Sequence, residues 1–335
     1  MTKIRTLLFL VSLSLAALQA LQGNAQSSAP EEVGQPEVTK GGCVTFPERF
    51  SDVVLVPGRR LERFFGQPLP GIRLMAWQDG RWQPVPFQID EKNEGGEFLF
   101  PFGEENDQDE LDHKLGPWDE LTFMAQDAGC RAAPSGWPRG YAKAEELEII
   151  DPLTGGKGWF YLFSFPEPPS LSPVDLIRYD PDYDRFHSKY YVAGYSRIKN
   201  DQKAVMEYYS APKPGGGEGV NWFDSAKVWT QIKLFFSLFK ITIHSDDWIS
   251  WVPAHIDGPI RVIVKKRTAI KIGLGLHTPT VEADLVYYPH FFVSAVVIAI
   301  PLYELPPEVA WEIDTIGLEP GSNLRPPRTR YQLAT

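Results

Sequence analysis

Trp82-Gln83-Pro84-Val85-Pro86-Phe87-Gln88-Ile89 is the stretch on which the architecture turns. Val85, Phe87 and Ile89 alternate with Pro86 and Gln88, the period of two that sends successive side chains to opposite faces of a strand. Pro84 and Pro86 donate no backbone hydrogen bond, so the segment is expected at a sheet edge or beginning with a bulge. Beyond it, short apolar runs recur at 52–56, 72–77, 147–150, 159–165, 190–195, 205–209, 260–264, 269–274, 281–288 and 291–302, with separators rich in Gly and Pro. This pattern predicts an all-β, mainly antiparallel chain with few helices. A β-barrel or sandwich domain is expected over 41–165 and a larger β-sandwich-like domain over 174–318, divided at the proline-rich 166–173. One stretch reads two ways. Val228, Trp229, Ile232, Phe235, Phe236 and Phe239 fit an amphipathic helix over 225–240, and two strands account for them equally well.

The first residues read as an export signal: Lys3 and Arg5, an apolar stretch over 7–21, then Gly23-Asn24-Ala25 with small residues where a peptidase cuts. Ser12, Ser14 and Gln19 interrupt the apolar stretch, which is short for a bilayer span of about 20 residues. The expectation is a signal peptide over 1–25, a flexible polar leader over 26–40, a periplasmic or extracellular destination and no membrane association. A Pro/Arg-rich tail closes the chain over 319–335. Cys43 and Cys130 are the two cysteines, and an even pair in an exported chain reads as a disulfide. Closing so long a loop contributes about 4 to 5 kcal/mol at most in the chain-entropy model.

The chain's charge is concentrated in one place. Thirteen carboxylates against Lys92 and Lys114 lie between Asp90 and Asp127, a local net of −11 in a chain whose formal net charge is −10. Local acidity of this kind points to a cation or to paired catalytic carboxylates. Asp107, Asp109, Asp112, Asp119, Glu120 and Asp127 are the candidate metal ligands, with calcium as the cofactor, because a hard cation takes six to eight oxygens and is abundant outside the cell. A solvated acidic loop is the plainer account. The second cluster is His244-Ser245-Asp246-Asp247-Trp248-Ile249-Ser250-Trp251, with His255 close behind. Here His244, Asp247 and His255 are candidate acid and base groups, and Trp248 and Trp251 are candidate stacking surfaces for a sugar. A polar turn between strands is again the plainer account. His187 and His290 are further candidate bases. The Gly215-Gly216-Gly217 run lacks the ending of a phosphate loop, no Cys-x-x-Cys-His run would attach haem, and an acidic chain without a basic stripe disfavours nucleic acid.

Phe65-Gly66-Gln67-Pro68-Leu69-Pro70-Gly71, followed by Gly80-Arg81-Trp82-Gln83-Pro84-Val85-Pro86-Phe87-Gln88-Ile89-Asp90, resembles the N-terminal β-barrel of rhamnogalacturonan-lyase-like proteins. These carry a Gly-x-Pro turn and then a valine-proline-x-glutamine strand. Asp257-Gly258-Pro259-Ile260-Arg261-Val262-Ile263-Val264 is similar to a strand of mutarotase-like β-sandwich domains. The resemblance covers a small part of the chain and implies a fold and a polysaccharide partner rather than any catalytic residue. The resulting expectation is an exported protein that binds a carbohydrate or cell-envelope polymer. A polysaccharide lyase or glycoside hydrolase, and a non-enzymatic envelope scaffold, are the alternatives.

Overall fold

The computed structural model describes Phe46 and residues 49–198, 201–222, 228–234, 239–273, 276–277, 280–294 and 311–318. The signal peptide, the leader, Cys43 and hence its pairing with Cys130, and the C-terminal tail lie outside the described residues. The described chain is antiparallel β throughout, and its helical structure is confined to short 3-10 turns.

The N-terminal half contributes β1 (Val53–Pro57), β2 (Ile72–Gln78), β3 (Arg81–Pro84), β4 (Phe87–Asp90), β5 (Phe102–Gly103), β6 (Glu120–Met124), β7 (Lys143–Ile150) and β8 (Lys157–Ser164). They form two small sheets, β1-β6-β4 and β3-β2-β8-β7. The sheets face one another across Leu74, Ala76, Leu121, Phe123, Phe160 and Leu162, so this half is a sandwich rather than a closed barrel. Alternation along β2 and β8 also supplies the other face, where Met75, Trp77, Tyr161 and Phe163 pack against Trp82 and Trp137. The opening stretch of the sequence is not one strand but two. Pro84-Val85-Pro86 is where the chain leaves the edge of one sheet, as β3, and joins the edge of the other, as β4. Two residues without N–H groups fit a crossing at which neither sheet asks for a donor.

The C-terminal half adds β9 (Ile177–Asp180), β10 (Arg185–Ser188), β11 (Val192–Ile198), β12 (Asp201–Ser210), β13 (Val228–Leu234), β14 (Phe239–His244), β15 (Trp248–Asp257), β16 (Val262–Gly273), β17 (Leu276–His277), β18 (Val281–Tyr287), β19 (Phe292–Ser294) and β20 (Trp311–Leu318). Of the two readings of 225–240, strands prevail: β13 pairs with β14 from Trp229↔His244 to Leu234↔Phe239 and with β20 on its other side. The remaining strands make one large sheet, ordered β19-β18-β16-β15-β12-β11-β10-β9. Four strands separate β10 from β18 in that order, so a flat sheet would hold them about 24 Å apart. Instead Phe186 of β10 stacks on Tyr287 of β18 with ring centroids 3.4 Å apart, and Tyr195 of β11 shares a 2.8 Å hydrogen bond with Tyr287. The sheet therefore folds over on itself and encloses a core of Ile177, Phe186, Tyr191, Val262, Val264, Leu285 and Tyr287.

The acidic segment is the strap between the halves. Its short strand β5 pairs with β15 through Ala254↔Gly103 and His255↔Phe102. Phe98 and Phe100 fill a patch with Ala254, Ile256 and Ile263 on the outer face of the large sheet. The carboxylates meet cations of β16 and its lead-in: Glu105 with Arg267 at 2.5 Å, and both Asp90 and Glu120 with Arg261 at 2.6 Å. Gln88 completes this knot. It accepts from the main-chain N–H groups of Ile260 and Arg261 and donates to Asp90, and Gly258 presses so closely on it that a Cβ there would collide with the amide. Replacing Gln88 by alanine strands two buried N–H groups, and a loss of about 2–4 kcal/mol is expected in urea unfolding. A loss under about 1 kcal/mol would mean that water takes over both donors.

Candidate functional site

The structure distributes the six carboxylates expected to hold calcium. Among the described residues no three His, Cys, Asp or Glu side chains gather in a group able to hold a metal ion. Asp107 accepts from the N–H of Phe100 and closes its own loop, Asp112 accepts from Lys114 N–H, and Asp119 accepts from the N–H groups of Lys92 and Gly116. Glu120 reaches Arg261 and Lys92, while Asp109 is exposed. Burial pushes the Asp119 carboxyl upward against the pull of its two N–H donors. Asp127 stands apart from the others, in a different place and a different environment.

The tryptophan and histidine cluster is also spread out. Asp247 accepts from the His244 N–H at 2.9 Å in the turn ahead of β15. His255 lies near the far end of that strand, on the order of 25 Å away at about 3.3 Å per residue, so His244 and Asp247 share no site with it. His255 is stacked on Phe102 and meets the edge of Tyr179, and burial lowers its pKa. Trp248 and Trp251 are an odd number of residues apart on β15 and so point to opposite faces. They do not form one platform.

What the fold does build is a cleft of about 900 Å³ where the N-terminal sandwich meets one end of the folded-over sheet. Gln78, Gln83, Gln126 and Asp127 line it from the sandwich side, and Arg178, His187, Tyr190 and His290 from the other. The crossing prolines, Pro84 and Pro86, form part of its wall. The backbone around Asp127 is held by a 3-10 turn, Ala125–Asp127, and by the Gln78 amide, which donates to the carbonyls of Asp127 and Ala128 at 2.9 and 3.3 Å. Burial alone pushes the Asp127 carboxyl up to about 6. On the opposite wall His187 lies across from Arg178 in the β9–β10 register, and burial followed by the Arg178 charge lowers its pKa. His290 packs on Tyr190 with centroids 3.8 Å apart and meets Phe50 edge-on at 5.0 Å; burial lowers it too.

The triple-glycine loop supports this wall from behind. A Cβ on Gly215 would run into the carbonyl of Tyr190, so only glycine lets the loop press against the segment that carries the aromatic pair. The cleft joins residues 78, 127, 187 and 290, which no local pattern links. His187 and His290 stood out in the sequence only as candidate bases, and Asp127 only as a member of the acidic run.

A second buried group is closed off from solvent. Lys266 lies over the Tyr195 ring with its Nζ 3.1 Å from the centroid and no hydrogen-bond partner, and burial lowers its pKa to about 8.

No protein-family model matches the chain, and no curated protein matches it. A solved structure described as a protein in the glycosyl hydrolase family 38 from Enterococcus faecalis is similar at 7% identity and a TM-score of 0.37, over 72% of this chain and 28% of that one. The chain thus spans less than a third of that protein's length, and a likeness at this score carries no argument about activity.

Proposed function

We propose that this is an exported protein that binds a carbohydrate segment, such as part of a cell-envelope polymer, in the cleft between its halves. The observation that carries the reading is the composition of the walls. Gln78, Gln83 and Gln126 present amide groups to a ligand made of hydroxyls, Gln78 through its carbonyl oxygen only because its NH2 is engaged by the Asp127 turn, and the Tyr190 ring, backed by His290, offers an aromatic face for the apolar side of a sugar ring. The volume lies in the range of about 300–1,000 Å³ usual for ligand sites. No helix among the described residues is long and apolar enough to cross a membrane.

The test is retention of the protein on a panel of immobilised polysaccharides, with calcium and with a chelator. Selective retention is expected on one polymer class. Tyr190→Ala is expected to weaken it about tenfold, the equivalent of about 1.4 kcal/mol of stacking. Because most of the expected calcium ligands are engaged by protein donors, chelation is expected to leave retention unchanged; loss on chelation would return a metal to the acidic segment. Absence of retention across the panel would replace this reading with that of an envelope scaffold.

A further inference from the structure

We infer that Asp127 is the proton donor, and His187 the proton acceptor, of a hydrolytic site for glycosidic linkages in this cleft, an inference that rests on the carbohydrate reading above. Three observations carry it. The first is what Asp127 lacks. Asp90, Glu91, Asp119, Asp151 and Asp257 are each held by N–H groups or by an arginine. Asp127, half-buried and lining a cleft, has burial as the sole influence on its carboxyl. Drawing a carboxylate partly out of water is costly, and groups with pKa values shifted in this way gather where they are used.

The second observation is positioning. Gln78 spends its amide on the backbone of the Asp127 turn, which fixes where the carboxyl stands while leaving its oxygens open to a ligand. The third is the opposite wall. The charged or titratable groups lining the cleft there are Asp175, Arg178, His187, Lys189, Tyr190 and His290. His290 is occupied as the stacking partner of Tyr190, whereas burial, then Arg178 across the strand pair and Arg185, favour the neutral form of His187 against the pull of Asp180, and the neutral imidazole is the form that takes a proton. Arg178, Lys189 and Asp175 share the cleft with Asp127, and burial raises its carboxyl to about 6, which keeps it protonated into the mildly acidic range.

The step balances within the site and one water. The bond between the anomeric carbon and the bridging oxygen breaks, and that oxygen takes the proton of Asp127. Water forms the new bond to the anomeric carbon and gives its proton to His187. Exchange with solvent then returns a proton to Asp127 and removes one from His187.

The experiment incubates the polysaccharide panel with the wild-type chain, Asp127→Asn and His187→Gln, and reads new reducing ends across pH 4–8 beside retention on the same polymers. The expected result is cleavage of the retained polymer with a rate that falls above about pH 6 as Asp127 ionises. Asp127→Asn is expected to lose on the order of 100-fold in rate with retention within about threefold of wild type, and His187→Gln to lose the acidic limb of the profile. Retention without cleavage, or cleavage unaffected by Asp127→Asn, overturns the inference and leaves carbohydrate binding standing. Neither retention nor cleavage overturns both.

Discussion

Replacing Arg261 by methionine is expected to cost about 3–5 kcal/mol of stability, the usual consequence of removing one partner from a buried ion pair. Arg261 and Asp90 are each 2% exposed. The guanidinium donates to Asp90 through Nε and Nη2, to Glu120 through Nη2 and to the Tyr288 hydroxyl through Nη1. Burial opposes the charge on Arg261, but Asp90, Tyr288 and Glu120 outweigh it and raise its pKa overall. Methionine fills much of the same volume, so the loss reports the stranded Asp90 carboxylate rather than a cavity. Urea unfolding at neutral pH measures it. The double change Arg261→Met with Asp90→Asn is expected to recover part of the loss, because the charge left behind is gone. Equal losses for single and double variants would show that packing, not charge, dominates the knot.

Asp127→Asn is expected to stabilise the protein above about pH 6, by about 2–3 kcal/mol. Burial raises the folded-state carboxyl from 3.8 to about 6. Below about pH 4 it is protonated in both states and contributes no difference. Between about pH 4 and 6 the unfolded chain ionises while the folded one resists, so stability falls as pH rises. Above about pH 6 the full penalty is present. Asparagine has no charge to bury, so the variant is expected to match wild type near pH 4 and to exceed it at pH 8. A pH-independent difference in urea unfolding would remove the raised carboxyl from the account. Together with the loss of cleavage, a more stable but inactive variant would mark Asp127 as a group that costs the fold and serves the cleft.

Strands were legible in this sequence where one face is apolar and turns are marked, as in β2, β8 and β18. They were obscured wherever charge entered the pattern. Ile260–Val264 and Ala269–Leu274 read as two runs because Lys265-Lys266-Arg267-Thr268 lies between them, yet β16 passes straight through. Lys265 and Arg267 point outward to Glu282, and Lys266 points inward over Tyr195. In the same way β6 was hidden inside the acidic run: Leu121, Phe123 and Met124 are buried strand residues in a segment read for its charge. Part of the acidity meets cations from the other half of the chain, Asp90 and Glu120 at Arg261 and Glu105 at Arg267. The cleft was illegible for a different reason. Its chemistry depends on burial and on the meeting of residues 78, 127, 187 and 290, neither of which a one-dimensional pattern records.

The knot around Arg261 also sets an order of events. Asp90 and Glu120 precede Arg261 by 171 and 141 residues, so a chain delivered from its N-terminus presents both carboxylates long before their cation arrives. Phe98 and Phe100 wait as well, since β15 and β16 provide the surface that covers them. The N-terminal sandwich can gather its core early, but its acidic strap stays unmoored until the second half has been delivered. A product truncated before Arg261 would keep Arg178, His187 and Tyr190 of the cleft but lose His290, and it would leave Asp90 and Glu120 without their cation.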